Sequence, residues 1–182
     1  MREDQHSVHV EREESLCSSV RQLSRSVTRL YNKHMPKVIV ERLRVPGDPS
    51  TAFKVEVQIR VTQVAVLEAL WDLSWCAAGS EAPGVSQVEL ATYLGVDTAT
   101  MCRNMRVLVK ENGWVQEVPS PSLRGKLLSL SPAGRTALLE ARPQMEHIDQ
   151  ELNHLMTERS INVPVFRSNL DTVLDVLEKM AS

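Results

Sequence analysis

The side chains able to do chemistry gather on one short stretch of this chain. Thr98, Thr100, Cys102, Arg103, Arg106 and Lys110 lie on or beside the exposed side of a helix whose other side would carry Met101, Met105 and Leu108, spaced by four and three. Ser86 and Gln87, at the start of the preceding helix, join the set. Threonine hydroxyls and arginine forks are the groups that read base edges and phosphates in a major groove. A helix that buries Met and Leu and shows Thr, Arg and Lys therefore suits duplex DNA. The plainer alternative is a solvated basic face on any α-rich domain.

Three smaller sets stand apart. Arg124 and Lys126 flank Gly125 in a loop rich in proline and serine, placed to reach phosphates or a minor groove. Cys17, Ser24 and Tyr31 repeat every seven residues and so share one helical stripe. His147 and His154 are also seven apart, but no cysteine or acidic cluster completes a metal set around them. Neither a phosphate-binding glycine loop nor a G-x-S-x-G or H-E-x-x-H motif is present, so the sequence predicts no enzyme, no cofactor and no metal.

The elements that must hold these residues are marked by local signals. Ser86 with Glu89 forms a capping box ahead of Leu90, Ala91 and Leu94. Gly95 follows where the turn needs a positive φ, Val96 plugs the junction, and Asp97 caps the second helix. This is helix-turn-helix grammar. Gly113-Trp114-Val115 then opens a short strand, Pro119 to Ser122 makes a loop tip, and Leu127 to Leu130 returns. Ser131 and Pro132 start another helix, serine as cap and proline at the first helical position. A hairpin directly after a helix-turn-helix is a wing.

At this point the chain resembles the MarR family of winged-helix transcription regulators. The resemblance rests on Leu90-Ala91-x-x-Leu94-Gly95-Val96, the helix from Asp97 to Leu108, Gly113-Trp114-Val115, and the run from Arg124 through Leu130-Ser131-Pro132-x-Gly134-Arg135. Four departures are visible. Ser122 stands where the family usually has an acid that would hold the wing arginine, and Ser131 where it has threonine. Asn104 stands at a commonly apolar position, and the stretch from Leu108 to Gly113 is one residue longer. The resemblance implies a homodimer joined through N- and C-terminal helices. It also implies a small aromatic or oxidant effector, for which the helix carrying Trp71 and Trp75 would line a cleft. Cys17, Ser24-Arg25, Thr28-Arg29 and Tyr31 resemble the peroxide-sensing branch, in which a tyrosine hydrogen-bonds a reactive N-terminal cysteine. A second tyrosine of that branch would fall near Val61, where there is none. The alternative for Cys17 is a buried, inert thiol. Cys102, on the DNA face, is a separate oxidisable position, and Cys76 reads as core.

The terminal helices agree in character. Leu16, Val20, Leu23, Val27 and Leu30 repeat at four and three on a helix from about residue 12 to 35. Phe166, Leu170, Val173, Leu177 and Met180 do the same near the other end, and Ile148, Leu152 and Leu155 mark a further amphipathic helix. Stripes of this kind need a partner helix, from a second copy or from the same chain. A two-fold dimer would present two recognition helices and so demand an inverted-repeat operator.

One segment falls outside the usual family plan. Phe53, Val55, Val57, Ile59 and Val61 alternate with polar residues, and Lys37 to Val45 is also strand-like, with a Pro-Gly-Asp-Pro-Ser turn between them. Residues 37–61 are expected to form an inserted β-hairpin.

The reading is thus a mainly α chain with a small β component, in four parts. Residues 1–36 are an arm and dimerisation helix, 37–61 the inserted hairpin, 62–135 the winged helix-turn-helix, and 136–182 the C-terminal dimerisation helices. A net charge of −2 means that DNA affinity must come from local basic patches. Three cysteines without a C-x-x-C, no secretory signal and no membrane span predict a cytoplasmic protein. The expected activity is a sequence-specific repressor. The rival is a winged-helix module that binds protein instead of DNA.

Overall fold

The computed structural model describes residues 15–45, 47–76, 84–120 and 126–181. Helix α1, Leu16–His34, starts at the Ser15 cap, whose hydroxyl accepts from the Ser18 amide. Strands β1, Lys37–Leu43, and β2, Ala52–Gln58, pair antiparallel in full register, from Lys37 opposite Gln58 to Leu43 opposite Ala52. The expected hairpin is therefore present. Its inner face buries Val38 and Val40, and Ile59 just beyond it is wholly enclosed. Its outer face carries Ile39 and the Lys37–Glu56 ion pair.

Helix α2, Val61–Cys76, is the centre of the core, with Val64, Val66, Leu67, Ala69 and Leu70 buried. A helix enclosed on several sides needs no polar face, which is why this one reads as nearly uniform in hydropathy. Trp71 is half-buried with the guanidinium groups of Arg135 and Arg142 over its ring, 5.9 and 5.4 Å from the centroid. It is therefore a packing residue here. The side chains of Trp75 and Cys76 lie outside the described residues, as does the arm before residue 15.

Helix α3, Gln87–Tyr93, with Leu90 and the small Ala91 buried, and helix α4, Thr98–Met105, follow. Strands β3, Val115–Pro119, and β4, Lys126–Leu130, form the wing. Val85 adds an isolated bridge to β4, exchanging both backbone hydrogen bonds with Leu128 at 2.8 and 2.9 Å. Helix α5, Pro132–Glu158, packs on α2, and α6, Val163–Ala181, completes the chain. The fold is a winged helix flanked by long terminal helices.

The expected boundary at 135–136 falls inside α5, which runs unbroken through Pro143. The helix starting at Ser131 and the amphipathic segment around Ile148 are one element. Proline removes one backbone donor, and the burial of Ala137, Leu138, Ala141 and Ile148 on both sides of it holds the helix together.

The two terminal stripes do not cover each other. Leu16, Val20, Leu23, Val27 and Leu30 all remain exposed on α1, as do Phe166, Leu170, Val173, Leu177 and Met180 on α6. Within one chain the buried residue of α1 lies near its end. There Tyr31 is buried and its hydroxyl donates to the Asp149 carboxylate of α5.

Candidate nucleic-acid interface

The helix-turn-helix is built by its caps. The Ser86 hydroxyl accepts from the Glu89 amide at 3.2 Å, and the Glu89 carboxylate accepts from the Ser86 amide at 2.8 Å. This reciprocal pair holds the Glu89 carboxyl below its ordinary value, with the Ser86 side chain the largest cause. Gly95 has φ of +61°, and nothing would lie within 4 Å of a Cβ placed there, so backbone conformation alone selects glycine. Asp97 accepts from the Thr100 amide and from the Thr100 hydroxyl, both at 2.8 Å, and these bonds hold its carboxyl low.

The anchoring of α4 follows the sequence pattern. Met101 and Leu108 are fully enclosed and Met105 nearly so. Thr98, Cys102, Arg103 and Arg106 are exposed together, with Thr100 half-buried beside them. Arg103 Nη2 donates to Thr100 Oγ1 at 3.0 Å, and so stands close to the Asp97 cap. Gln87 Nε2 donates to Cys102 Sγ at 2.9 Å, which ties the start of α3 to the exposed face of α4. Ser86 and Gln87 are thus brought to the α4 face, while the Ser86 side chain is committed to capping.

Beyond Met105 the backbone changes. Arg106–Glu111 is a π-helical turn, in which the Asn112 amide donates to Val107 O at 2.9 Å. Bonds of this i→i+5 kind mark one extra residue in a helix. They account for the stretch from Leu108 to Gly113 being one residue longer. Sequence reasoning extended a regular helix to Lys110. Instead Lys110 lies in this π-helical turn, exposed, and borders a pocket with Glu41, Leu43 and Gly47 of the inserted hairpin.

The wing differs in one respect from expectation. Lys126 was expected to face phosphates, but its amine pairs with Glu117 across the hairpin. Arg124 and the loop 121–125 lie outside the described residues. The base of the wing is tightly defined. Trp114 is buried, its carbonyl accepts from the Ser131 amide at 3.0 Å, and the Ser131 hydroxyl donates to Gly113 O at 2.6 Å while accepting from the Gly134 amide.

The remaining expectations concern thiols and histidines. Cys17 is exposed, not buried as the inert alternative required, and Arg21 Nη2 stands 3.7 Å from its sulfur. The tyrosine does not partner it, because Tyr31 lies nearly four turns further along α1 and its hydroxyl is committed to Asp149 of α5. Burial first, and then Asp149, push the Tyr31 phenol up to about 12. His147 and His154 each face a glutamate one turn on, Glu151 and Glu158, at 3.5 and 3.3 Å. Among the described residues no group of three metal-ligating side chains comes together, and no helix is long and apolar enough to cross a membrane.

Sequence reasoning missed Arg42. Its guanidinium reaches from β1 to the end of the recognition segment, Nε to Glu111 O at 3.0 Å and Nη2 to Asn112 Oδ1 at 3.3 Å. The only hint was the basic character of the hairpin.

Comparison with solved structures agrees with this architecture. MosR, a transcriptional regulator of M. tuberculosis solved with DNA, superposes with a TM-score of 0.63 at 23% identity, over 92% of this chain and 98% of that one. PcaV, a transcriptional regulator from Streptomyces coelicolor solved with its natural ligand, gives 0.63 at 17% identity, over 98% of each chain. A mutant of MarR from E. coli, solved with operator DNA, gives 0.57 at 21% identity, over 92% and 94%. At these identities the likeness is one of fold. No protein-family model matches the chain, and no curated protein matches it.

Proposed function

We propose that the chain is a sequence-specific DNA-binding transcription regulator of the MarR type, working as a homodimeric repressor that a small effector releases. One observation carries the reading. A capped helix is anchored by Met101, Met105 and Leu108, and turns Thr98, Cys102, Arg103 and Arg106 to solvent on one row. Such a row fits base edges and phosphates in a major groove. Arg124 and Lys126 serve the wing, Lys126 after exchanging Glu117 for a phosphate. The uncovered stripes on α1 and α6 support a dimer, since large apolar side chains at heptad spacing are stabilised by a partner helix. The fold shared with MosR and MarR, both solved on DNA, and with PcaV, solved with its ligand, supports the same reading. An effector would act by favouring a spacing of the two recognition helices that no longer matches the operator.

Selection of bound duplexes from a random pool, at moderate salt with reductant, tests this directly. An enriched inverted repeat is the expected result. Weak binding without enrichment, lost on adding salt, would remove the reading in favour of a protein-interaction module. A second input has its own observation. Cys17 is exposed, with Arg21 Nη2 3.7 Å from its sulfur, so an oxidant can reach the thiol. Peroxide treatment of wild type and Cys17→Ser, read as release from the selected duplex, tests it. Release of both proteins alike would dismiss Cys17.

A further inference from the structure

Arg42 spends its guanidinium on a helix end and not on a carboxylate. It is half-buried on β1, and no acid pairs with it among the described residues. Its Nε donates to Glu111 O at 3.0 Å and its Nη2 to Asn112 Oδ1 at 3.3 Å. The last carbonyls of a helix have no amide of the next turn to accept from, and they carry the negative end of its dipole. Val107 and Leu108 solve this locally, since their carbonyls accept from the amides of Asn112 and Trp114 at 2.9 and 2.8 Å. For Glu111 O the donor comes from the hairpin. Gly113, at φ of +65°, then leads the chain into β3. The recognition segment therefore ends on a cap supplied by a distant element of the same chain.

The root of the hairpin is tied to the two helices that flank it. Gln58 Nε2 donates to Asn32 O at 2.8 Å and to Met35 O at 3.4 Å. Asn32 Oδ1 accepts from the Val61 amide at 2.8 Å, and the Ile59 amide donates to Pro36 O at 3.1 Å. Met35 and Ile59 are buried at this junction. From there to Arg42 the two strands pair without a break, Lys37 opposite Gln58 through to Arg42 opposite Phe53. At about 3.3 Å per residue, that stretch of β1 spans about 17 Å. A strand held by a full ladder keeps its shape, so the hairpin acts as a strut. One end stands on the α1–α2 junction and the other on the end of the recognition segment.

We propose that Arg42 is a positioning residue for DNA docking: through it the hairpin fixes the direction of the recognition helix relative to α1. The docking role rests on the regulator reading; the pinning of the helix end does not. Helix α4 is held at its start by the Asp97 cap and along its length by Met101, Met105 and Leu108. Arg42 holds the far end, just beyond Arg106. Releasing that end lets the row of Thr98, Cys102, Arg103 and Arg106 tilt while its chemistry stays the same. In a two-fold dimer, the direction of this row decides which half-site spacing fits both recognition helices. Arg42 acts through the helix end and not on a phosphate, because Nε and Nη2 are already committed.

The test has two arms on the full chain. Without DNA, hydrogen exchange is followed by mass spectrometry. Arg42→Ala should speed exchange about tenfold in peptides covering 106–113, the loss of one charge-assisted hydrogen bond, and leave α3 unchanged. Arg42→Lys, with one donor site in place of the fork, should fall between. Arg44→Ala, on the same hairpin with its guanidinium over the Phe53 ring, should leave 106–113 as in wild type. If Arg42→Ala also speeds exchange across 37–58, the comparison passes to Arg42→Lys with the same criteria. With DNA, the selected repeat is made with its half-sites as found, and one base pair closer or farther. Arg42→Ala should bind the preferred spacing about tenfold weaker, discriminate less among the three, and keep the wild-type salt slope. Unchanged protection of 106–113 would overturn the pin. An unchanged spacing preference, or a salt slope lower by about one as a phosphate contact requires, would overturn the positioning role. If no repeat is selected, the docking role falls with the regulator reading, while hydrogen exchange still decides the pin.

Discussion

Replacing Gly134 by alanine should unsettle the base of the wing. A Cβ at this position would lie 1.9 Å from Trp114 O and 2.8 Å from Trp114 C. Carbon–oxygen contacts of this kind settle at about 3.3 Å or more, so α5 and β3 must separate by about 1.4 Å. The neighbour is backbone and cannot turn aside. Forced overpacking costs about 3 kcal/mol when no side chain can yield. The separation also stretches the 3.0 Å bond from the Ser131 amide to Trp114 O, worth about 1 kcal/mol more. Against this, alanine in a helix gains about 1 kcal/mol over glycine. The clash wins, with a net loss of about 3 kcal/mol, and in a chain of this size the thermal midpoint should fall by about 6–12 °C. Gly95→Ala calibrates the scale. Space is open there and only the positive φ opposes it, at about 1 kcal/mol and 2–4 °C. Calorimetry or circular dichroism at one protein concentration reads both. A Gly134→Ala midpoint within about 2 °C of wild type, or above that of Gly95→Ala, would refute the close approach of α5 to the wing.

Other expectations follow from the same geometry. Arg103→Ala and Arg106→Ala should each weaken binding to a selected operator by about 1–3 kcal/mol if they read bases, or lower the salt slope by about one if they meet phosphates; filter binding across a salt series separates the cases, and no change in either would exclude them from the interface. Leu23→Glu with Leu170→Glu should convert a dimer to a monomer in sedimentation while leaving helix content intact, because both side chains are exposed within one chain; an unchanged sedimentation coefficient would argue against these stripes. Asp97 has its folded-state carboxyl held below the ordinary 3.8 by Thr100, so its stabilising effect is complete above that value and is lost as pH falls through the lower folded one. Asp97→Asn should therefore flatten that part of the acid unfolding curve. Tyr31 runs the other way: raised from 10.0 to about 12, its contribution is complete below pH 10 and disappears as pH climbs toward 12. Tyr31→Phe should abolish that alkaline loss, and an unaltered profile would mean that the phenol is not held by Asp149.

What could be read from the sequence was whatever local chemistry dictates. The Ser86–Glu89 box, the Asp97 cap, the turn at Gly95 and the Ser131-Pro132 start each involve residues within a few positions of one another. Their geometry follows from spacing alone. The hairpin at 37–61 was legible because strict alternation survives any tertiary context. Long-range commitments were not. Nothing near Arg42 announces that it will bond Glu111 and Asn112, nearly seventy positions away, and nothing near Tyr31 announces Asp149. Lys126 looked free because Glu117 lies across a turn, and the continuity of α5 through Pro143 was not visible because burial on either side of it cannot be seen locally. The exposed row was legible up to Arg106, but the π-helical turn that carries Lys110 was not, because one extra residue shifts the helical phase.

That phase shift sets a rule for transplanting specificity. Up to Met105 helix α4 keeps an ordinary α-helical period, so a side chain there can be exchanged with its counterpart in another chain of this fold by simple alignment. Past Arg106 the count slips by one, and the same alignment would place a grafted side chain about a quarter-turn or more off its intended direction. Deleting one residue within 106–111 would restore the period, but would also withdraw Glu111 and Asn112 from Arg42. The inserted residue and the inserted hairpin are therefore a matched pair, to be carried into a chimera together or not at all.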